Sequence, residues 1–129
     1  MTSIEDLAGE IMKELMNYSE AVTENVKKAV DIVASEVNNE IKSHITFEQR
    51  TGKYVKSFRT KKTSENKYGK SKTWYVANGE YRLSHLLENG HALRNGGRTQ
   101  SFPHIKYGEE LAIRRMQELT TEGIENAGR

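Results

Sequence analysis

The chain has 129 residues, the length of one ordinary domain, and 20 basic against 18 acidic residues leave a net charge of +2. The absence of cysteine excludes a disulfide framework, a thiol nucleophile and the common zinc modules. Only 35 % of residues are hydrophobic and no apolar run approaches the roughly 18 residues of a membrane span, which excludes a transmembrane protein.

From the start, Met1 to Ile11 lacks the basic-then-apolar layout of a secretory leader, so an unsecreted protein made in the cytoplasm is expected. Thr2 with Glu5, or Ser3 with Asp6, has the spacing of a capping box and predicts a helix start. Apolar residues then recur in steps of three and four at Ile4, Leu7, Ile11, Leu15, Tyr18, Val22, Val26, Ala29 or Val30, Val33, Val37 and Ile41. No proline occurs before Pro103, so the pattern predicts one amphipathic helix over roughly residues 3–43. Forty helical residues would span about 60 Å, whereas a compact domain of this size is about 35 to 40 Å across. Either the helix breaks, with Asn17 or Asn38-Asn39 as candidates, or neighbouring subunits cover part of its stripe.

The small net charge hides an uneven distribution. Residues 1–49 carry −6, residues 50–74 carry +8, and residues 75–129 are balanced. A block this basic suits an anionic partner or an acidic protein surface, although a solvated hairpin gives the same composition. Within it, Lys53 to Lys62 reads as a strand, Ser64 to Ser71 as a hairpin loop, and Thr73 to Ala77 as a second strand. Arg59, Lys61, Lys62, Lys67, Lys70 and Lys72 flank Tyr68, Trp74 and Tyr75, the mixture found on surfaces that track a nucleic-acid backbone. Trp74 and Tyr75 fall on opposite faces of a strand, so one of them must pack inward. A sequence-independent nucleic-acid-binding module using the basic 50–74 arm is therefore the alternative function.

Asn78-Gly79 predicts a turn, and Tyr81 to Glu88 a short helix with Leu83, Leu86 and Leu87 on one side and Gly90 at its end. Asn95-Gly96-Gly97 predicts a reversal between two short extended pieces, and Pro103 ends the second. A last helix from about Tyr107 to Asn126 presents Leu111, Ala112, Met116, Leu119 and Gly123 on one face. The fold class is α+β: a long N-terminal helix, a small antiparallel sheet with a basic hairpin, a short middle helix and a C-terminal helix, in a single domain over 1–129.

Catalytic signals are weak. His85, Glu88 and His91 are regularly spaced, but His91 lies beyond the expected helix end and the order is not that of a zinc hydrolase. Ser84 and His85 are adjacent and cannot face each other on a helix. No phosphate-loop or dinucleotide fingerprint is present, and Asn95-Gly96-Gly97-Arg98 is explained by a turn. No enzyme activity, metal or cofactor is expected.

The segments Tyr81-Arg82-Leu83-Ser84-His85-Leu86-Leu87-Glu88-Asn89-Gly90-His91, Arg94-Asn95-Gly96-Gly97-Arg98 and Pro103-His104-Ile105 follow one another in order. Upstream stand Thr51-Gly52-Lys53 and Ser57-Phe58. Together they resemble the head–tail joining family of long-tailed bacteriophages, the neck or tail-completion proteins of the gene-product-ten-like group. The resemblance covers most of residues 50–112, and the first helix matches only in kind. It implies a non-catalytic virion protein of the neck, made in the host bacterial cytoplasm and assembled as a homo-oligomeric ring. Its expected partners are the head-closure protein and the tail terminator or tail tube, with non-specific contact to DNA in the channel and none to membrane. On this basis Tyr81, Leu86, Leu87, Glu88, Gly90, His91, Gly96, Gly97, Pro103 and His104 are structural motif residues. Leu86 and Leu87 would be buried, and Glu88 with His91 would bond the following hairpin or a neighbour.

Overall fold

A computed structural model describes residues 4–47 and 52–127, with side chains from Asp6 onward. Both capping pairs at the N-terminus, Arg50, and Thr51 of the Thr-Gly-Lys element involve residues outside that set. The described elements are helix α1 (Ile4–Ser43), one helical turn α2 (Lys53–Lys56), strands β1 (Phe58–Glu65) and β2 (Lys70–Val76), and helices α3 (Tyr81–Asn89) and α4 (Ile105–Ala127). The architecture is α+β with a two-stranded antiparallel sheet.

Helix α1 runs unbroken for 40 residues, about 60 Å. Neither asparagine site interrupts it; Asn38 Oδ1 instead accepts the indole N–H of Trp74 at 3.0 Å. Helix α4 packs antiparallel along the second half of α1. Gly108 permits the closest approach, since a Cβ there would lie 2.6 Å from Ile41 Cγ1 and 3.1 Å from Val37 Cγ1. At the far end a Cβ on Gly123 would lie 2.9 Å from Asn25 Cβ, and Asn25 Nδ2 donates to the Gly123 carbonyl at 3.2 Å. Between these points Arg115 grips Glu36 through two nitrogens at 2.8 and 3.1 Å. That contact lowers the Glu36 pKa and raises that of Arg115.

Two corrections apply to the basic segment. Residues 53–56 form a helical turn, where a strand is predicted, because this turn rotates Tyr54 into the core and Ser57 Oγ onto the Lys53 carbonyl at 2.8 Å. Residues 64–65 and 70–71, predicted as loop, are paired strand, with Ser64 opposite Ser71 and Glu65 opposite Lys70. Only 66–69 turn, closed by Asn66 Oδ1 accepting the N–H groups of Tyr68 and Gly69. A register irregularity between Lys62 and Ser64 lets the hairpin twist while it follows α1.

The core sits at the C-terminal end of α1, where Ile41, Tyr54, Phe58 and Val76 are buried. An aromatic chain extends it: Phe47 to Phe102 at 5.5 Å, Tyr54 to Phe58 at 5.1 Å and Phe58 to Trp74 at 4.8 Å between ring centroids. Such tilted pairs contribute about 0.5–1.5 kcal/mol each beyond their burial. Further back along α1, Ala29 and Val33 are also buried.

Helix α3 corrects another expectation. Its inward face carries Ser84, Leu87 and Glu88, while Leu83 and Leu86 are 40 % and 42 % exposed. Leu86 is therefore not buried, and the three leucines do not share the inner side. The hydrogen bonds of Ser84 and Glu88 set the rotation of this helix, and Leu87 alone reaches the core. Helix α4 starts at Ile105, two residues before the predicted Tyr107, because Glu88 caps its first turn.

Candidate functional site

Three features of the fold carry chemistry or leave surface unsatisfied: a buried polar knot, the basic hairpin and the free half of α1.

The knot joins α2, α3 and the start of α4. His104 is fully buried at 0 % exposure. Its Nδ1 lies 2.7 Å from the Phe102 carbonyl, which can only accept, so in the neutral ring Nδ1 donates and Nε2 accepts from Tyr54 Oη at 2.7 Å. Ser84 Oγ lies 3.3 Å from the same phenol. Burial raises the Tyr54 pKa and the nearby Glu88 carboxylate adds to it, so the phenol stays protonated. Glu88 Oε1 accepts the N–H groups of His104 and Ile105, and Oε2 that of Lys106, each at 3.0 Å. Burial alone would push this carboxyl up, but the three backbone donors outweigh it and its pKa is lowered. One carboxylate thus satisfies the orphan donors of the α4 N-terminus and complements its dipole.

The rest of the motif shapes the neighbouring loop. Gly90 has φ +70° and a Cβ there would meet the Thr99 carbonyl oxygen at 2.6 Å, so any side chain clashes with backbone. His91 bonds the hairpin as expected, with Nδ1 3.1 Å from Thr99 Oγ1. Glu88 goes to the helix instead of that hairpin. Gly96 and Gly97, at φ +90° and +78°, close the reversal around the Ala92–Arg98 bridge. Pro103 precedes α4, and Tyr81 is 54 % exposed at the outer start of α3. Among the described residues no group of three or more His, Asp or Glu side chains is placed to hold a metal ion.

The hairpin lies along α1, and strand alternation divides its cations. Lys70 and Lys72 face α1 and share Asp31, each Nζ 2.8 Å from Oδ1. The two lysines hold the Asp31 carboxyl down at about 2. Lys62 and Lys27 both lie on Glu65, at 3.3 and 3.6 Å. On the opposite face stand Arg59, bonded to the Lys56 and Phe58 carbonyls, and Lys61, 5.2 Å from the Tyr75 ring centre. Lys67 sits at the tip over Tyr68, which is 81 % exposed. Of the six predicted contact cations, then, Lys62, Lys70 and Lys72 are ion-paired within the chain, and Arg59, Lys61 and Lys67 stand on the outward face or at the tip. Trp74 packs inward and Tyr75 outward, the division that strand alternation requires.

The hairpin and α4 cover α1 only as far back as about residue 20: the hairpin tip approaches Ser19 to Lys27, and Gly123 meets Asn25. Every residue from Asp6 to Glu20 is exposed. Leu7, Ile11, Met12, Leu15 and Met16 are each about half exposed, a row of apolar side chains without cover among the described residues. Beside the covered half, α1, the hairpin and α4 enclose an open, mainly apolar groove of about 400 Å³ lined by Val30, Val37, Lys72, Trp74, Ala112 and Met116 among others.

Sequence reasoning missed Tyr54, Asp31 and Gly108. A tyrosine within a lysine-rich stretch, a single acid in mid-helix and a glycine inside a helix were the only local signs of them.

Residues 9–90 match the family model described as "Bacteriophage HK97-gp10, putative tail-component", and no curated protein and no solved structure matches. The match includes nearly all of α1, the hairpin and α3, and stops at Gly90, before the reversal and α4. It covers well over half of the chain, which therefore belongs to the HK97-gp10-like bacteriophage family.

Proposed function

We propose that this protein is a structural adaptor of the phage head–tail junction, a neck or tail-completion component built as a homo-oligomeric ring. The ring would sit between the head-closure protein and the tail terminator or tail tube, in the neck of the virion. The observation that carries this reading is the apolar stripe of α1 from Leu7 to Tyr18, left uncovered on a chain whose family is that of a tail component. Contiguous apolar surface of this kind marks a contact with other chains. Family membership also speaks for a structural role over a catalytic one. The buried knot fits such a role, because its polar groups bond one another and a helix end, so they hold α2, α3 and α4 in one body.

Arg59, Lys61 and Lys67 give that body an outward cationic face suited to an acidic partner surface. The nucleic-acid alternative draws on the same face, with Lys70 and Lys72 already held by Asp31.

Deleting the gene from its phage and imaging the particles tests the proposal. Separate filled heads and finished tails are expected; normally joined, infectious virions would overturn it.

A further inference from the structure

The uncovered half of α1 and the open groove beside its covered half are complementary in pattern. At 100° per residue, Leu7, Tyr18, Ile11 and Leu15 fall within a sector of about 80°. Met12 and Met16 extend that sector on one side, and the exposed acids Glu10 and Glu14 border it on the other. The groove has matching sides: an apolar floor on α1 at Val30 and Val37, an apolar α4 wall at Ala112 and Met116, and a hairpin wall carrying Lys70 and Lys72. Lys70 and Lys72 share the one carboxylate of Asp31, so this side of the groove keeps a net positive charge.

We infer that residues 6–20 of α1 from one copy dock in the groove of the next copy, the methionine edge against α4 and the Glu10–Glu14 edge against the lysine-bearing hairpin. This rests on the ring reading above and specifies its contact. The occupant is a second copy of this chain because the same molecule carries both the amphipathic segment and a receptor of opposite edge charge. The two patches are different surfaces, so the contact is heterologous and propagates head to tail, the geometry that closes into rings when the rotation permits. An antiparallel pairing of two free α1 segments would oppose their acidic edges, and a parallel one would set each acidic edge against the partner's methionines, so neither gives Glu10 and Glu14 a basic counterpart.

The chain has no cysteine, so introduced thiols report the contact directly. Leu15→Cys and Thr60→Cys, both at exposed positions that leave the core intact, the second lining the groove opposite Trp74, are prepared as separate full-length proteins, mixed and oxidised. The expected result is a cross-linked pair containing one of each, a ladder of higher species from the double variant, and little coupling in either protein alone. Adding Ile11→Asp to the Leu15→Cys chain lowers the yield roughly tenfold or more, because a charge would enter the apolar groove. Coupling that is strongest in Leu15→Cys alone, or no coupling in the mixture, overturns the inference. Particle imaging keeps the two levels apart: unjoined heads and tails on gene deletion, together with absent cross-links, leave the adaptor reading standing and remove this contact.

Discussion

The phenolic oxygen of Tyr54 and Nε2 of His104, fifty positions apart, lie 2.7 Å from each other in the buried interior. This bond ties the helical turn after α1 to the entry of α4, two segments that no strand pairing joins. Tyr54→Phe keeps the ring and its packing but leaves a buried imidazole nitrogen without its partner. A loss of about 1–3 kcal/mol in unfolding free energy is expected, measured by urea denaturation. A variant as stable as the parent would show that the bond does not hold the knot.

Glu88 acts on the same joint through three backbone donors. Glu88→Ala should cost about 0.5–2 kcal/mol, as for loss of an N-cap, and Glu88→Gln less, since one acceptor oxygen remains. The folded-state pKa of Glu88 is lowered, so its contribution is present above the unfolded carboxyl pKa and is lost as pH falls through the folded value. Thermal melts of parent and Glu88→Gln should therefore converge on acidification. A gap that stays constant with pH would contradict this assignment.

Docking of the hairpin on α1 has its own acid limit. Lys70 and Lys72 hold Asp31 at about 2, so the contact is intact above the ordinary aspartate range near 4 and is lost as pH falls toward 2. Trp74, the single tryptophan, donates to Asn38 on the same helix and reports the change by fluorescence. Asp31→Asn should give at neutral pH the emission that the parent shows only in acid. An Asp31→Asn spectrum identical to that of the neutral parent would remove Asp31 as the anchor.

Two helical glycines should respond oppositely to alanine. At Gly9 nothing lies within 4 Å, so Gly9→Ala should raise helicity of the free segment, with a local gain of about 0.5–1 kcal/mol, read by circular dichroism and hydrogen exchange. Gly108→Ala gains the same propensity but drives a methyl to within 2.6 Å of Ile41. Overpacking costs about 1–3 kcal/mol, so a net loss is expected, with partial rescue by Ile41→Val. A stabilised Gly108→Ala would mean that the helices separate at little cost.

Local patterns made much of this architecture legible. Threes and fours in the apolar spacing revealed α1 because a helix face is a local property. Comparing its length with a domain diameter raised the question of a break at Asn17 or Asn38-Asn39, and the helix runs through both sites unbroken. Trp74 and Tyr75 divided as strand alternation requires. The features that escaped depend on partners distant in sequence. Lys53 to Lys56 read as strand because β propensity says nothing of the buried partners that Tyr54 gains by turning helical. Leu86 read as core because α3 is oriented by hydrogen bonds from Ser84 and Glu88, which weigh more than a third leucine. The ion pairs of Lys70 and Lys72 escaped because Asp31 lies about forty positions upstream, beyond any spacing rule.

The straightness of α1 has a consequence for how the sequence can change. Its free segment is joined to the body without a hinge, so the direction of the apolar stripe is fixed by helical phase. Removing one residue from 6–20 would draw the tip back by about 1.5 Å and rotate everything beyond it by about 100°, turning the stripe from its target. Removing seven or eleven would nearly restore the angle while shortening the reach. Length variation in this segment should therefore come in near-whole numbers of turns, a spacing that a flexible tether would not require.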